Sequence, residues 1–270
     1  MRLKTESMIR VWGIALATSL VLAACATPTP NDPEARAELQ AINDPWESFN
    51  RAVFEFNRGL DRALLKPVAQ AYRGVVPEFG RDMVKNFLDN LRSPVILAND
   101  ILQGEKDRAG ETGSRLLANT TIGLGGVFNV TDIEFHNEDF GQTLAVWGFG
   151  EGPYVVLPLL GPSPIRDTVG LVGDSLMDPV VWYARRHEQY AITWIRYGAR
   201  AIDTRSRNIE TLDEIERGAI DFYATVRSLY RQRRNDEINN GRPQNSVSMP
   251  EISWDDEEAA EKNQVSAVSK

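Results

Sequence analysis

Apolar residues recur along most of the chain at the three- and four-residue spacing of amphipathic helices. The clearest run follows Asp44, and its apolar positions are Trp46, Phe49, Val53, Phe56, Leu60 and Leu64. We expect this face, Phe49 included, to be buried. The spacing returns in 84–91, 95–102 and 116–122, where we expect short helices broken at Pro94 and at Gly123. The pattern predicts a mainly α fold with little or no β structure.

The beginning of the first helix is predicted by four consecutive residues, Asp44, Pro45, Trp46 and Glu47. Asp44 suits the N-cap, Pro45 suits N1, where no amide donor is needed, and Glu47 at N3 completes a capping box. Arg51 follows Glu47 by four residues, so we expect these two side chains to pair.

Two further local features are predicted in the middle of the chain. The β-prone residues 154–157 are followed at once by Pro158, which limits them to a short extended or edge segment. Asp139 is expected to cap the helix that follows it, and Arg166 and Asp167 are expected to form a local pair.

A second helical block is predicted from about Asp178 to Arg234. Between Arg185 and Arg234, eleven arginines stand against seven acidic residues, a net charge of +4. These arginines fit two interpretations: solvated helix faces whose aliphatic stems cover apolar surface, or a surface that contacts anionic lipid headgroups or an acidic partner.

The N-terminus has the pattern of a bacterial lipoprotein signal. Arg2, Lys4 and Arg10 precede a short apolar run from Val11 to Leu22, and Leu22-Ala23-Ala24-Cys25 resembles a lipobox. We expect a signal peptide over 1–24, a lipidated Cys25, a flexible tether over 25–43 and a folded domain over 44–234. Residues 235–270, rich in acidic residues, are expected to form a disordered tail.

Composition excludes several classes of function. The 270 residues contain two histidines and one cysteine, too few for a zinc site, and Cys25 cannot close an intrachain disulfide. A net charge of −8 argues against nucleic acid as a partner. No G-x-S-x-G elbow is present, so we expect no lipase-type catalytic centre and no cofactor.

Residues 119–167 combine many glycines and prolines with large apolar side chains, which is untypical of a hydrophilic linker. Their most unusual part is the glycine-rich segment, made of Gly123, Leu124, Gly125, Gly126, Val127 and Phe128. Such backbone is tolerated at membrane depth where it is buried in protein or lines a polar cavity, and the glycines could equally cap a helix and form a tight turn.

Three segments resemble signatures of the MlaA (VacJ) family of outer-membrane lipoproteins. They are DPWESFNR at 44–51, NTTIGLGGVFNV at 119–130, and the pair DFGQTL at 139–144 and WGFGEGPYVVLPLLGPSPIRD at 147–167. The resemblance runs from about Asp44 to at least Asp178. It implies a ring-like helical domain embedded in the inner leaflet of the outer membrane of a Gram-negative bacterium, anchored on the periplasmic side.

The resemblance also implies a function. Phospholipids mislocalised in the outer leaflet would pass through an amphipathic channel, beside a trimeric porin, to an MlaC-like soluble periplasmic carrier, which maintains outer-membrane asymmetry. Asn50 and the glycine-rich segment would then line or gate the channel. Arg51 would either line or support the channel wall or pair with Glu47 at the surface. The alternative is a structural envelope lipoprotein that docks on a porin, moves no lipid and has sealed helical packing without a continuous cavity.

Overall fold

The computed structural model describes residues 43–241, and these are mostly helical. The signal peptide, Cys25 and the expected tail beyond Gly241 lie outside the described residues. The helices are α1 Glu47–Leu60, a π-helical turn Asp61–Leu65, α2 Lys66–Val75, α3 Glu78–Gln103, α4 Lys106–Thr121, α5 Phe140–Val146, α6 Ile165–Met177, α7 Pro179–Arg186, α8 Tyr190–Arg207, α9 Ile209–Gly218 and α10 Phe222–Ile238. Within 43–241, none of these helices combines the length and the apolar composition needed to span a bilayer.

The prediction of a mainly α fold is confirmed. The strands found in residues 43–241 are β1 Val156–Leu157 and β2 Gly161–Pro162, which pair in an antiparallel hairpin. The hairpin turns at Pro158 and at Leu159, whose φ is +68°. The β-prone residues 154–157 therefore form the short extended segment that the sequence predicts.

The predicted capping box at the start of α1 is wrong. The helix begins at Glu47 with Trp46 at the N-cap position and no side chain capping it. The side chain of Asp44 is fully buried and accepts hydrogen bonds from Arg227 and Asn50 at 2.6 and 2.7 Å. A buried carboxylate gains more from a cation than from a helix end, because its desolvation must be compensated by an opposite charge.

The predicted break at Pro94 is also wrong, because α3 runs through it without interruption. Pro94 removes one amide donor from the helix, a cost of about 3 kcal/mol. Its neighbours Val95 and Ile96 are buried where α3 packs against other helices, and this burial outweighs the local cost. The helix ends instead at Gly104, whose φ of +80° forms a left-handed cap.

The first and last helices pack together. Phe54 of α1 meets Tyr223 of α10 edge to face at 5.5 Å, and Tyr154 and Val156 complete this small apolar core. Helix α10 continues to Ile238, past the domain boundary expected at Arg234. The reason is that the Arg234 side chain points inward into ion pairs, so its turn of helix belongs to the folded domain.

Candidate functional site

The described chain has an unusual distribution of polarity. Its buried side chains are largely polar or charged, whereas many of its largest apolar side chains are exposed. Phe49, expected in the core, is 38% exposed because the face of α1 that packs inward carries Asn50 and Phe54 instead. The exposed set includes Phe56, Leu64, Phe79, Ile101, Leu117, Trp147, Leu160, Val172, Trp182, Trp194 and Ile195. Apolar exposure on this scale marks a surface that contacts lipid or protein.

An apolar groove of about 760 Å³ runs between α3 and α8. Its walls are almost entirely aliphatic or aromatic, and Arg196 is the charged residue among them. The lining residues are Gly80, Met83, Val84, Phe87, Leu88, Leu91, Val127, Val180, Ile192, Ile195, Arg196 and Ala199. A groove of this size and chemistry suits an acyl chain better than a polar metabolite.

The other side of α3 is polar. Lys85, Asp89 and Arg92 follow one another at helical spacing and line an arginine cavity of about 320 Å³, which α8 completes with Arg200. Leu88 lines both this cavity and the apolar groove. Helix α3 thus has the apolar groove on one side and the cation-lined arginine cavity on the other.

A second polar cavity, the polar chamber, also measures about 320 Å³. Lys85, Asp89 and Phe135 are common to it and to the arginine cavity. Its remaining lining comes from α3, α4 and the loop after α4, and consists of Asn86, Arg115, Asn119, Asn129, Thr131, Asp132, Ile133 and Glu134. The groove, the arginine cavity and the polar chamber form one series of adjoining spaces.

Arg200, which lines the arginine cavity, and Arg196, which lines the groove, are each paired with a carboxylate. Arg200 donates to Asp89 at 2.7 Å, and Arg196 pairs with Asp178, which also caps α7. Burial, followed by the repulsion of Arg92, lowers the pKa of Arg200 despite its bond with Asp89. Electrostatic repulsion among these guanidinium groups favours the binding of an anion between them.

Asn50 is placed differently from its expected position at a channel. Its side chain is fully buried, donates to the carbonyl of Tyr154 at 2.9 Å and accepts from the amide of Val156 at 2.9 Å. Asn57, two turns later, makes the same pair of bonds with Leu157 and Leu159. Asn50 does not line the groove, the arginine cavity or the polar chamber, and it supports the hairpin instead.

The glycine-rich segment ends α4 and touches the groove. The amides of Gly125 and Gly126 donate to the carbonyls of Thr120 and Asn119, so both glycines satisfy the end of the helix. Gly126 has φ +93°, and a Cβ there would lie 2.2 Å from the Cβ of Asn90. Val127 lines the groove. The turn interpretation is therefore supported, and the segment also borders the apolar path.

Most of the arginines between Arg185 and Arg234 follow neither predicted interpretation. Eight of the eleven form ion pairs with carboxylates of the described residues. One of them is the exposed Arg233, which pairs with Glu237 one turn away. The other seven are Arg196, Arg200, Arg205, Arg207, Arg227, Arg231 and Arg234. Sequence periodicity could not identify most of these pairs because the partners, such as Asp44, Asp89 and Asp139, lie in distant segments of the chain. The expected local features are confirmed: Asp139 caps α5, Arg166 meets Asp167 at 3.1 Å, and Arg51 meets Glu47 at 2.7 Å.

The cavity residues Lys85, Arg92 and Arg115 were not singled out from the sequence. The one available signal was the spacing of Lys85, Asp89 and Arg92 opposite the apolar positions Val84, Phe87 and Leu91. Arg115 and the loop residues 129–135 come from other parts of the chain, and only the fold brings them to α3.

Comparison with known proteins agrees with this architecture. Residues 42–237 match the family described as MlaA lipoprotein. The chain is 32% identical to the intermembrane phospholipid transport system lipoprotein MlaA of Shigella flexneri over 86% of this chain and 90% of that protein. The protein of the same description from Haemophilus influenzae is 30% identical over 89% of this chain and 93% of its own.

A solved structure is similar as well. It was reported under the heading "Structural basis for maintenance of bacterial outer membrane lipid asymmetry", and it matches with a TM-score of 0.66 and 33% identity. The match covers 73% of this chain and 99% of that one. These similarities extend over the folded domain and confirm the resemblance found in the sequence motifs: the chain belongs to the MlaA lipoprotein family.

Proposed function

We propose that this protein removes phospholipids from the outer leaflet of the outer membrane and delivers them toward the periplasm. The observation that carries the proposal is the apolar groove lying beside cation-lined cavities on the two sides of α3. The groove suits acyl chains and the cavities suit phosphate groups. The descriptions of the two relatives, which name phospholipid transport, support the same substrate class.

The physical need is for shielding. Moving both acyl chains of a phospholipid through water exposes about thirty CH₂ groups, on the order of 20 kcal/mol at about 0.8 each. A groove that covers the chains while polar residues accompany the headgroup removes most of that barrier. No covalent step is required, and direction comes from the proteins that supply and accept the lipid.

The proposed location is the inner leaflet of the outer membrane, with the ring-like domain held by acyl chains on Cys25. The exposed tryptophans and aliphatic side chains support embedding in lipid, because they would be poorly hydrated on a free surface. We propose that residues 1–24 are a signal peptide and that residues 25–43 are a tether between the lipid anchor and the domain. The proposed partners are a trimeric porin beside the domain and an MlaC-like periplasmic carrier that accepts the lipid.

An enzymatic alternative is less well supported. Thr112, His136 and Asp100 lie together, but the geometry differs from a catalytic triad. Both Asp100 and Thr112 contact the same ring nitrogen, Nε2 of His136, and the Thr112 hydroxyl donates to Asp100 at 2.7 Å. A triad needs the carboxylate on one ring nitrogen and the nucleophile on the other. We infer that this cluster is structural.

The proposal is tested by obstructing the groove. Ala199→Phe places a large side chain in it, whereas Ala201→Phe, on an exposed position of the same helix, is the matched control. Outer-leaflet phospholipid is measured by an acyl-transfer assay in cells lacking the protein and carrying each variant. We expect the control to restore low outer-leaflet phospholipid and Ala199→Phe to fail at equal protein level. Full restoration by Ala199→Phe would show that the groove is not the lipid path. Unchanged outer-leaflet phospholipid in cells lacking the protein would favour the structural lipoprotein.

The anchor and the gate have separate tests in the same assay. Cys25→Ala should leave the protein out of outer-membrane fractions and abolish restoration.

For the gate, Gly125→Leu enters open space and strains only the backbone at φ +75°, whereas Gly126 is packed against Asn90. Gly110→Leu, also in open space, is its control. Unchanged outer-leaflet phospholipid with Gly125→Leu would remove the gating role of the glycine-rich segment.

A further inference from the structure

The polar chamber contains a buried arginine without a hydrogen-bonded anion. Arg115 of α4 is 7% exposed, yet no side chain within residues 43–241 forms an ion pair or hydrogen bond with its guanidinium group. Its closest described partner is the ring of Phe135, 4.5 Å from Cζ. Burial lowers the pKa of Arg115, and the field of Asp89 opposes that shift only in part. The group remains charged at neutral pH and faces the chamber without a counter-ion.

The other buried arginines of the described chain show how unusual this is. Arg205, Arg227 and Arg234 are similarly buried, and each has a carboxylate oxygen within 3.0 Å. A buried guanidinium is strongly destabilising unless an anion compensates it. For Arg115, residues 43–241 provide no such bonded anion, so an anionic group of a ligand can provide it.

The rest of the chamber suits a phosphate group followed by a cation. Lys85 lies 5.3 Å from the same Phe135 ring, and one bond to Asp89 leaves its other donors available. Asn86 and Asn119 add neutral amide donors to the wall; one amide hydrogen of Asn119 is bonded to Asn129, and the other is available. Asp132 and Glu134 also line the chamber and are exposed to solvent, so negative charge lies at its mouth.

We propose that the polar chamber binds the headgroup of a zwitterionic phospholipid, with Arg115 and Lys85 holding the phosphodiester. Asp132 and Glu134 hold the headgroup ammonium at the mouth of the chamber. This inference rests on the proposed function and deepens it, since it assigns a headgroup class and a waiting position on the path. A purely anionic headgroup lacks the ammonium and meets two uncompensated carboxylates, so it binds less well.

Soluble headgroups test the inference without acyl chains. Calorimetry uses the purified full-length lipoprotein in maltoside detergent with glycerophosphoethanolamine, glycerophosphoglycerol and inorganic phosphate. We expect glycerophosphoethanolamine to bind most tightly and Arg115→Gln to weaken it at least about tenfold, the effect of losing a charge-assisted hydrogen bond. Arg115→Lys should retain binding within about threefold. The double variant Asp132→Asn with Glu134→Gln should remove the preference over glycerophosphoglycerol.

Controls separate binding from folding and from the proposed function. Arg233→Gln, at an exposed position, should bind like the wild type, and thermal unfolding confirms that each variant is folded. Equal binding by wild type and Arg115→Gln would overturn the inference, as would inorganic phosphate binding as tightly as glycerophosphoethanolamine. Failure of the proposed function would appear elsewhere, as wild-type protein that does not restore outer-leaflet asymmetry in cells.

Discussion

Two buried arginines, Arg234 and Arg115, differ in how their charges are compensated. Around Arg234, three carboxylates surround the guanidinium: Asp139 at 2.6 Å, Asp167 at 2.9 Å and Glu237 at 3.2 Å. In the polar chamber, Arg115 has an aromatic ring and open space. The first arrangement is complete without a ligand and holds α5, α6 and α10 together. The second is incomplete, and an incomplete buried charge is a means of binding something from outside.

The electrostatics of the Arg234 cluster show how complete it is. Burial acts to raise the pKa of Asp139, but the bond and the charge of Arg234 outweigh burial and lower that pKa to about 2. The cluster also fixes two close backbone contacts, because a Cβ on Gly141 would lie 2.5 Å from Arg234 and 2.7 Å from Asp167. Charge pairing and tight packing therefore depend on each other at this site.

The largest expected effect comes from breaking the complete cluster. Arg234→Met leaves Asp139 buried without its cation and leaves Asp167 paired with Arg166 alone, and we expect a loss of about 3–5 kcal/mol in the free energy of unfolding. Denaturant unfolding in detergent measures it. The neighbouring Arg233→Met, whose side chain is 71% exposed, is the control and should change stability by at most about 0.5 kcal/mol. Equal effects of the two variants would contradict the assignment.

A smaller effect, of opposite sign, is expected at Asp174. Burial, followed by the repulsion of Asp139, raises its pKa to about 6. Native Asp174 keeps its proton to a higher pH than the unfolded chain, so its contribution to stability falls as pH rises from about 4 to about 6. Asp174→Asn preserves the acceptor for Phe140 and Asn99 and should stabilise the protein by about 1–3 kcal/mol at pH 7.

The pH dependence distinguishes this cause from a packing effect. The difference in unfolding free energy between Asp174→Asn and the wild type should shrink toward zero near pH 4, where both chains are neutral at position 174. Unfolding curves recorded from pH 4 to pH 8 measure the difference. A stabilisation independent of pH would show that the pKa of Asp174 is the same in the native and unfolded chains, and that the effect comes from packing.

At Arg115 the comparison predicts a small change in stability. Arg115→Met loses a cation–π contact but also removes a buried charge without a counter-ion, so we expect the free energy of unfolding to stay within about 1 kcal/mol of the wild type. Denaturant unfolding of the ligand-free protein gives the value. A loss as large as that of Arg234→Met would mean that Arg115 has a structural counter-ion after all.

The smallest effect is expected at the surface. Glu47→Gln removes the charge that pairs with Arg51 across one helical turn, and both side chains are substantially exposed. Solvent and salt screen such pairs, and Arg51 keeps its second partner, Asp221. We expect a loss of about 0.3 kcal/mol that disappears in high salt. A loss of several kcal/mol would show that this exposed pair stabilises the protein as much as a buried ion pair does.

Local rules predicted part of this molecule. The helical periodicity of α1, the cap at Asp139 and the pair Arg166 with Asp167 depend on residues a few positions apart, and the structure confirms them. The predictions at Asp44 and Pro94 were wrong because tertiary partners determine both. The polar chamber could not be predicted from local sequence for the same reason. Its lining comes from α3, α4 and the loop at 129–135, and no spacing in the sequence relates these segments.

The bond between Asp44 and Arg227 joins residues 183 positions apart. During synthesis, Asp44 and α1 therefore emerge long before their partners: Arg227 and Tyr223, which bond Asp44, and Asp221, which pairs with Arg51 of α1. A chain shortened before α10 would leave that carboxylate, the apolar face of α1 and the hairpin uncovered. Folding of this kind waits for the last helix, since non-local contacts are slow to form. Synthesis of α10 is thus required before the rest of the domain can reach its native structure.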